Sequence, residues 1–327
     1  MQLTRRRLLT GAAALAATSF MIPVRAKTTL HLTHIYNLED LRHQAAVAVS
    51  KEVAERTNGE FIIDVHPMSQ MAGLRDGVEG VRLGTMDMTV VDTATISNWN
   101  PALGAWSLPF LFDGVEHAKR AMTGEAGKLR TDGIRQAGLE SVGHAIIGFR
   151  VLLGQKPMDE PDAMKGVKFR VPEIPVYVST FRALGCNVTP VPWGETYSAL
   201  QAGVVDAVEG DPVGLTLARH HEVTKFASRT NHIFLDNGML INPDIFSGLP
   251  QDVQTILMDA GARHFSNQLS DAQIKLQQQD WEAMSKVVKV TEQPDIASFT
   301  KATAPVIETF SKRTRSEAFL AAVAAAR

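Results

Sequence analysis

The 327-residue sequence predicts an α/β protein of two lobes with a long helix spanning both. Three observations carry that prediction. Short β-branched runs alternate with helical patterns along the chain; one strand–helix–strand unit occurs twice, once in each half; and a long stretch near the C-terminus holds neither glycine nor proline. Strand–helix–strand repetition implies crossover helices over a mostly parallel sheet.

The first residues stand apart from this pattern. Thr4-Arg5-Arg6-Arg7-Leu8-Leu9 leads into Gly11-Ala12-Ala13-Ala14-Leu15-Ala16-Ala17, and the apolar stretch ends near Ile22-Pro23, with small residues at Val24-Arg25-Ala26. A basic start, a short apolar middle and a small-residue exit describe a secretory signal, so residues 1–26 are expected to be removed on export. Arg5-Arg6 followed by two leucines is similar to a twin-arginine signal, which exports a folded chain. No later segment approaches membrane-spanning length and apolarity.

Thr29-Leu30-His31-Leu32-Thr33 alternates like a strand. Residues 40–56 keep helical spacing through Leu41, Ala45, Ala48, Val49 and Val53, and Thr57-Asn58-Gly59 stops them with residues that tolerate a left-handed cap. Phe61-Ile62-Ile63-Asp64-Val65 is short and β-branched, hence a strand. A strand ending at His66-Pro67 then precedes a helix through Val78 and Val81 and the run Leu83-Gly84-Thr85-Met86-Asp87-Met88. In the second half Asn187-Val188-Thr189-Pro190 precedes a helix through Tyr197 and Leu200 and the run Ala202-Gly203-Val204-Val205-Asp206-Ala207. Both copies read strand, helix, Gly, two residues, Asp, strand, the Gly being a cap that releases the chain into the next strand. Two lobes of like design follow, unless βαβ units merely look alike. Between Gly261 and Pro294, Leu269, Ala272, Leu276, Ala283 and Val287 hold helical register, which predicts one long helix bent near Gly261. Gln277-Gln278-Gln279-Asp280 breaks any coiled-coil seam. The lobes are expected to be discontinuous, residues 27–147 with 237–276 and residues 148–236 with 277–327.

Hydrophobic residues at 45% and charged residues at 21% fit an ordinary soluble core. Loss of Arg5, Arg6, Arg7 and Arg25 with the signal would move the formal charge from −2 to −6, leaving 29 basic against 35 acidic side chains. An acidic protein is a poor nucleic-acid binder, so an anionic ligand has to be held by locally placed cations. Cys186 is the only cysteine and reads as a small buried residue.

Several motifs in order resemble one family. They are Thr57-Asn58-Gly59 before a strand, Pro67-Met68-Ser69-Gln70-Met71 after it, Ser107-Leu108-Pro109-Phe110-Leu111-Phe112, and Asp162-Ala163-Met164-Lys165-Gly166-Val167-Lys168-Phe169-Arg170-Val171-Pro172. Glu195-Thr196-Tyr197-Ser198-Ala199-Leu200-Gln201-Ala202-Gly203-Val204-Val205-Asp206 and Thr230-Asn231-His232 follow. Over almost the whole chain after the signal, this resembles the extracytoplasmic solute-binding proteins of TRAP (tripartite, ATP-independent) transporters. The resemblance implies a periplasmic-binding-protein-like fold of two α/β lobes joined by crossing strands and a long helix. It also implies a cleft that closes on its ligand and docking onto membrane permease subunits. The expected product is a periplasmic monomer that needs no cofactor.

Alternation puts Val167, Phe169 and Val171 on one face of a strand and Lys168 and Arg170 on the other. An Arg at a strand end before Pro172 can present its planar fork to a carboxylate, although composition alone favours an ordinary surface Arg. Arg170 matches the family arginine that clamps the ligand carboxylate, and Arg150, after Ile146-Ile147-Gly148-Phe149, resembles a second arginine beside the ligand. Trp193 falls where the family sets an aromatic ring against the ligand, with a core or helix-staple Trp as the competing reading. Asp92 and His232 match positions near family ligands, and for His232 a satisfied structural histidine competes equally. Where sialic-acid binders of this family carry Asn, this chain has Glu173 and Asp211. Facing the cleft, they would repel a second carboxylate and accept hydrogen bonds from hydroxyl or ammonium groups; otherwise they would pair with Lys168 or Arg219. A hydroxyl-rich monocarboxylate such as a sugar acid is therefore expected first, a dicarboxylate second and an ectoine-like zwitterion third.

The sequence has no Gly-x-Ser-x-Gly elbow and no Gly-rich phosphate loop. His221-Glu222-Val223-Thr224-Lys225 lacks the second histidine of a zinc-protease helix, and His31 and His34 are expected to face opposite ways on a strand. No catalytic or metal site is expected. The competing functions are a binding subunit that reports to a sensor protein and an enzyme acting on a sugar acid.

Overall fold

A computed structural model describes residues 27–327, and the export signal expected over residues 1–26 lies outside them. The described strands are β1 (Thr28–Thr33), β2 (Phe61–His66), β3 (Met88–Val91), β4 (Glu140–Phe149), β5 (Val151–Gly154) and β6 (Lys168–Val171). They continue with β7 (Asn187–Pro190), β8 (Ala207–Gly210), β9 (Phe226–Ser228), β10 (Phe234–Ile241) and β11 (Lys289–Thr291). They form two sheets, ordered β2-β1-β3-β10-β4 and β11-β9-β5-β8-β6-β7.

The repeated sequence unit is a repeated topology. In the first sheet β2, β1 and β3 run parallel and β10 lies antiparallel beside β3. In the second, β7, β6 and β8 run parallel and β5 lies antiparallel beside β8. The expectation of mostly parallel sheets thus holds for the repeated core of each lobe. The antiparallel pairs all involve β5 or β10, the strands that follow the two crossings between sheets and so run opposite to the parallel core they join. Both repeat glycines are left-handed, Gly84 at φ 72° and Gly203 at φ 68°, as a cap that turns the helix into the next strand requires. The Asp that follows has the same task in each copy. Asp87 Oδ2 accepts from the His31 backbone N–H at 2.6 Å, and Asp206 Oδ2 from that of Lys168 at 3.3 Å.

Leu30 and Leu32 of β1 and Ile63 of β2 are buried against Val49 and Val53 of helix Leu41–Arg56 and against Leu257 and Phe265. Those last two belong to the long helix. It runs as an α-helix over Gln251–Ala260, a π-helix over Gly261–Gln268 and an α-helix over Leu269–Met284, about 50 Å at 1.5 Å per residue. Gly261 is ordinary right-handed helix, so it is needed for space: a Cβ there would lie 2.3 Å from the Val142 carbonyl oxygen of β4. Farther along, Trp281 and Met284 join the second sheet's core of Val151, Leu153 and Val208. One helix thereby packs on both sheets.

The chain crosses between the sheets with Arg150 as the single residue between β4 and β5, and returns between β9 and β10. The two crossings lie side by side, with the Arg150 N–H donating to the Ile233 carbonyl at 2.9 Å. Gln277 of the long helix straps this junction by donating to the Ile147 carbonyl at 2.6 Å. The C-terminal helices Ile296–Thr314 and Glu317–Ala325 bury Phe299, Phe310 and Phe319 in a cluster with Trp106, Phe181 and Phe234, which draws on both sheets' surroundings. No helix among the described residues is long and apolar enough to cross a membrane.

Candidate ligand site

In open α/β sheets, ligands lie beyond the carboxyl ends of the parallel strands. Here those ends are Thr33, Val91, Val171, Pro190 and Gly210, and the segments just past them meet between the two sheets. Tyr36 follows β1, Asp92 follows β3, Trp193 follows β7 and Asp211 follows β8. They border a chamber lined also by Arg42, Arg150 and Arg170. Two neighbouring cavities share Ile35 and Trp193 with it, so the three form one cleft.

Arg170 is 1% exposed. Its Nε and Nη2 both donate to the Val191 carbonyl, at 2.9 and 2.7 Å, and its guanidinium lies over the Trp193 ring at 5.3 Å. Among the described residues no carboxylate pairs with it. Burial pulls its pKa down to about 10, with Glu209 opposing and Arg150 adding to the fall, so it stays a cation at neutral pH. A buried guanidinium held from one side and lacking a counter-ion is a preformed anion site.

Arg150 stands differently. Its Nε and Nη2 grip both carboxylate oxygens of Glu209, which is fully buried. Burial works against the Arg150 charge, but the Glu209 carboxylate outweighs it and raises the pKa. Arg150 Nη1 has no hydrogen bond among the described residues, and the residue lines the chamber. Asp92 faces the same space. Its Oδ1 accepts from the Thr95 N–H at 2.7 Å and the Thr95 hydroxyl at 2.5 Å, leaving Oδ2 unbonded. Burial raises the Asp92 pKa, opposed by the Thr95 hydrogen bonds and Arg150.

Asp211 does line the chamber, yet it has structural partners that its neighbours in sequence did not suggest. It caps helix Pro212–Leu217 by accepting from the Gly214 N–H at 2.9 Å. Gln273 of the long helix donates to it at 3.4 Å, and Arg42 Nη1 stands 3.5 Å away. Neither Lys168 nor Arg219 is its partner, because they pair locally with Asp206 and Glu222. Glu173 is exposed at the outer mouth of the cleft, away from the inner chamber, and its backbone carbonyl accepts from Asn98 at 3.4 Å. Trp193 is half-buried and borders all three cavities, edge-on to the His220 ring at 4.7 Å. His232 lines none of the three. It sits behind Arg150, with Nδ1 on the Thr230 hydroxyl at 2.7 Å and Nε2 3.9 Å from Glu209, and burial lowers its pKa to about 3.

Two residues of this neighbourhood are not singled out by the sequence. Arg42 is 3% exposed, bidentate to Asp40 at 2.8 and 2.6 Å, and stacked on Tyr36 at 4.0 Å. The Asp40–x–Arg42 spacing at a helix start was the available signal. Glu209 is the other, and nothing local marks an acid whose partner is 59 positions away.

Comparisons with known proteins agree with this architecture. Residues 32–313 match the model of bacterial extracellular solute-binding protein, family 7. The C4-dicarboxylate-binding periplasmic protein of Rhodobacter capsulatus is 30% identical over 268 residues, 80% of this chain and 79% of that one. The 2,3-diketo-L-gulonate-binding periplasmic protein of Escherichia coli is 28% identical over 253 residues, 77% of this chain and 76% of that one. A TRAP periplasmic solute-binding protein of Roseobacter denitrificans, solved with bound β-D-glucuronate, superposes with a TM-score of 0.86 at 26% identity, covering 90% of this chain and 99% of that chain. With two sheets in a repeated topology, a cleft at their strand ends and a family model matched over nearly all of the described chain, the protein belongs to family 7 of the bacterial extracellular solute-binding proteins.

Proposed function

We propose that this chain captures a small hydroxyl-rich monocarboxylate, a sugar acid, in the cleft between its sheets and hands it to the permease subunits of a TRAP-type transporter. The observation that carries the reading is Arg170: a buried cation with no acid of its own, facing the chamber. The ligand carboxylate supplies the missing counter-charge, and Arg150 Nη1 adds a second donor beside it. Asp92 Oδ2 and Asp211 accept from the ligand hydroxyls, and Trp193 covers one face of the ring. The other two guanidiniums of the chamber already have acids, Arg42 with Asp40 and Asp211 and Arg150 with Glu209. Arg170 is thus the guanidinium left for a ligand carboxylate. Relatives solved with β-D-glucuronate and β-D-galacturonate support the choice of a sugar acid.

In this reading His232 acts from behind, beside Glu209, while Glu173 screens solutes at the mouth. The two sheets are the jaws, divided near the Arg150 crossing as the expected lobe boundaries have it. The protein is a carrier without turnover, exported to the periplasm through the twin-arginine route and monomeric there. A second reading, a dicarboxylate ligand, is favoured by Arg42: movement of Asp211 would release its Nη1 toward a second carboxylate while Asp40 keeps its other two nitrogens.

A thermal-shift screen of organic acids on the purified protein, followed by calorimetry, tests the proposal. D-Glucuronate or D-galacturonate should raise Tm and bind at one saturable site. Stabilisation by succinate or ectoine alone would sink the sugar-acid reading, and steady consumption of the acid would sink the carrier reading.

A further inference from the structure

We propose that His31, Asp64 and His66 bind a divalent transition-metal ion of the zinc class on the first sheet, at a site separate from the cleft. The strands fix the three side chains on one face. Parallel register sets His31 of β1 directly beside Asp64 of β2, and His66 is two residues farther along the same strand. The opposite face of these strands is the buried one, carrying Leu30, Leu32 and Ile63. β2 is the edge strand of its sheet, which leaves Asp64 open to water and room for solvent ligands.

The donor atoms converge to one point. His31 Nδ1 and His66 Nε2 are 3.0 Å apart, and Asp64 Oδ2 is 3.4 Å from His66 Nε2 and 3.9 Å from His31 Nδ1. Two nitrogens at zinc-bond length in a tetrahedral shell are separated by about 3.3 Å, so the set is close to the spacing one small ion imposes. The other ring nitrogens, His31 Nε2 and His66 Nδ1, have no hydrogen-bond partner among the described residues. Nothing therefore opposes the tautomers that put a proton there and aim both lone pairs inward. Two lone pairs facing each other at this distance repel unless a cation lies between them, and Asp64 adds the negative charge that favours a divalent ion over a shared proton. β1 is pinned at this point by the 2.6 Å hydrogen bond from the His31 N–H to Asp87, so the first ligand is held before any metal arrives. Two imidazoles and one carboxylate leave a coordination position for water or a further group.

The test is zinc titration by calorimetry on protein purified without a polyhistidine tag. One site per chain is expected, with a rise in Tm. His31→Gln and His66→Gln should each weaken it roughly tenfold or more. Both side chains are partly exposed, so metal-free Tm and circular dichroism should be unchanged. Should a histidine variant misfold, Asp64→Asn weakening zinc, together with a tetrahedral Co²⁺ absorption band in the native protein, serves the same purpose. Absence of binding at roughly 1 mM Zn²⁺, or unchanged affinity in the His31→Gln/His66→Gln double variant, overturns the site. Arg170→Ala should leave zinc affinity intact, which separates this proposal from the reading of the cleft.

Discussion

Arg42, just inside the first helix, reaches across the cleft to Asp211 beyond β8, with 3.5 Å between guanidinium and carboxylate. Both side chains are almost fully buried, and each keeps a second anchor, Asp40 for the cation and the Gly214 N–H for the acid. Asn caps helices as well as Asp does, so Asp211→Asn removes the charge and keeps the cap. The variant should lose no more than about 1 kcal/mol of stability, because Arg42 still has Asp40. Its ligand preference should move toward dicarboxylates, read as the ratio of calorimetric Kd values for D-glucuronate and succinate. An unchanged ratio would make Asp211 purely structural.

Arg170→Ala should weaken sugar-acid binding by roughly 2–5 kcal/mol, about thirtyfold or more, with the circular dichroism spectrum retained. Arg170→Lys should recover little of this, since a point charge cannot donate to Val191 and to a carboxylate in the same fork geometry. Near-native affinity in either variant would dismiss the clamp.

Arg150→Met strands Glu209, which is fully buried, without its cation. Loss of roughly 3–5 kcal/mol of stability is expected, visible in urea denaturation. The double variant Arg150→Met/Glu209→Leu should regain much of it, since no uncompensated charge remains. Equal stability of single and double variants would contradict the pairing.

His34, His220 and His232 are all buried, and burial lowers each pKa to about 3 from an ordinary value of 6.5. The unfolded chain then binds more protons than the native one between those values. Stability is therefore full above pH 6.5 and falls as the pH drops toward 3. At pH 5 each histidine should cost roughly 2 kcal/mol relative to neutral pH. His220→Phe, which keeps a ring against Trp193, should flatten the decline of Tm with acidity; an identical slope would show that other groups set it.

The sequence reading went far where causes are local and stopped where they are not. The Gly–x–x–Asp echo marked both lobes because a left-handed cap and a strand-bracing carboxylate are needed at that point in each copy. Arg170 was singled out by the family resemblance, since its strand alternation and the proline after it left an ordinary surface Arg favoured. Arg42, Glu209 and the His31–Asp64–His66 group were not, since each depends on a partner that only tertiary structure or strand register brings near. Gly261, where the sequence predicts a bend, opens the π-helical segment and also makes room for β4, a task that no local pattern marks.

Arg150 is the only residue between the strands of the two sheets on the outward path, and it also borders the chamber. A solute touching its free nitrogen therefore presses on the joint itself. In the proposed carrier, occupancy and the angle between the halves then become one variable, and a substitution there is expected to alter how long the trap stays shut as well as how firmly it grips.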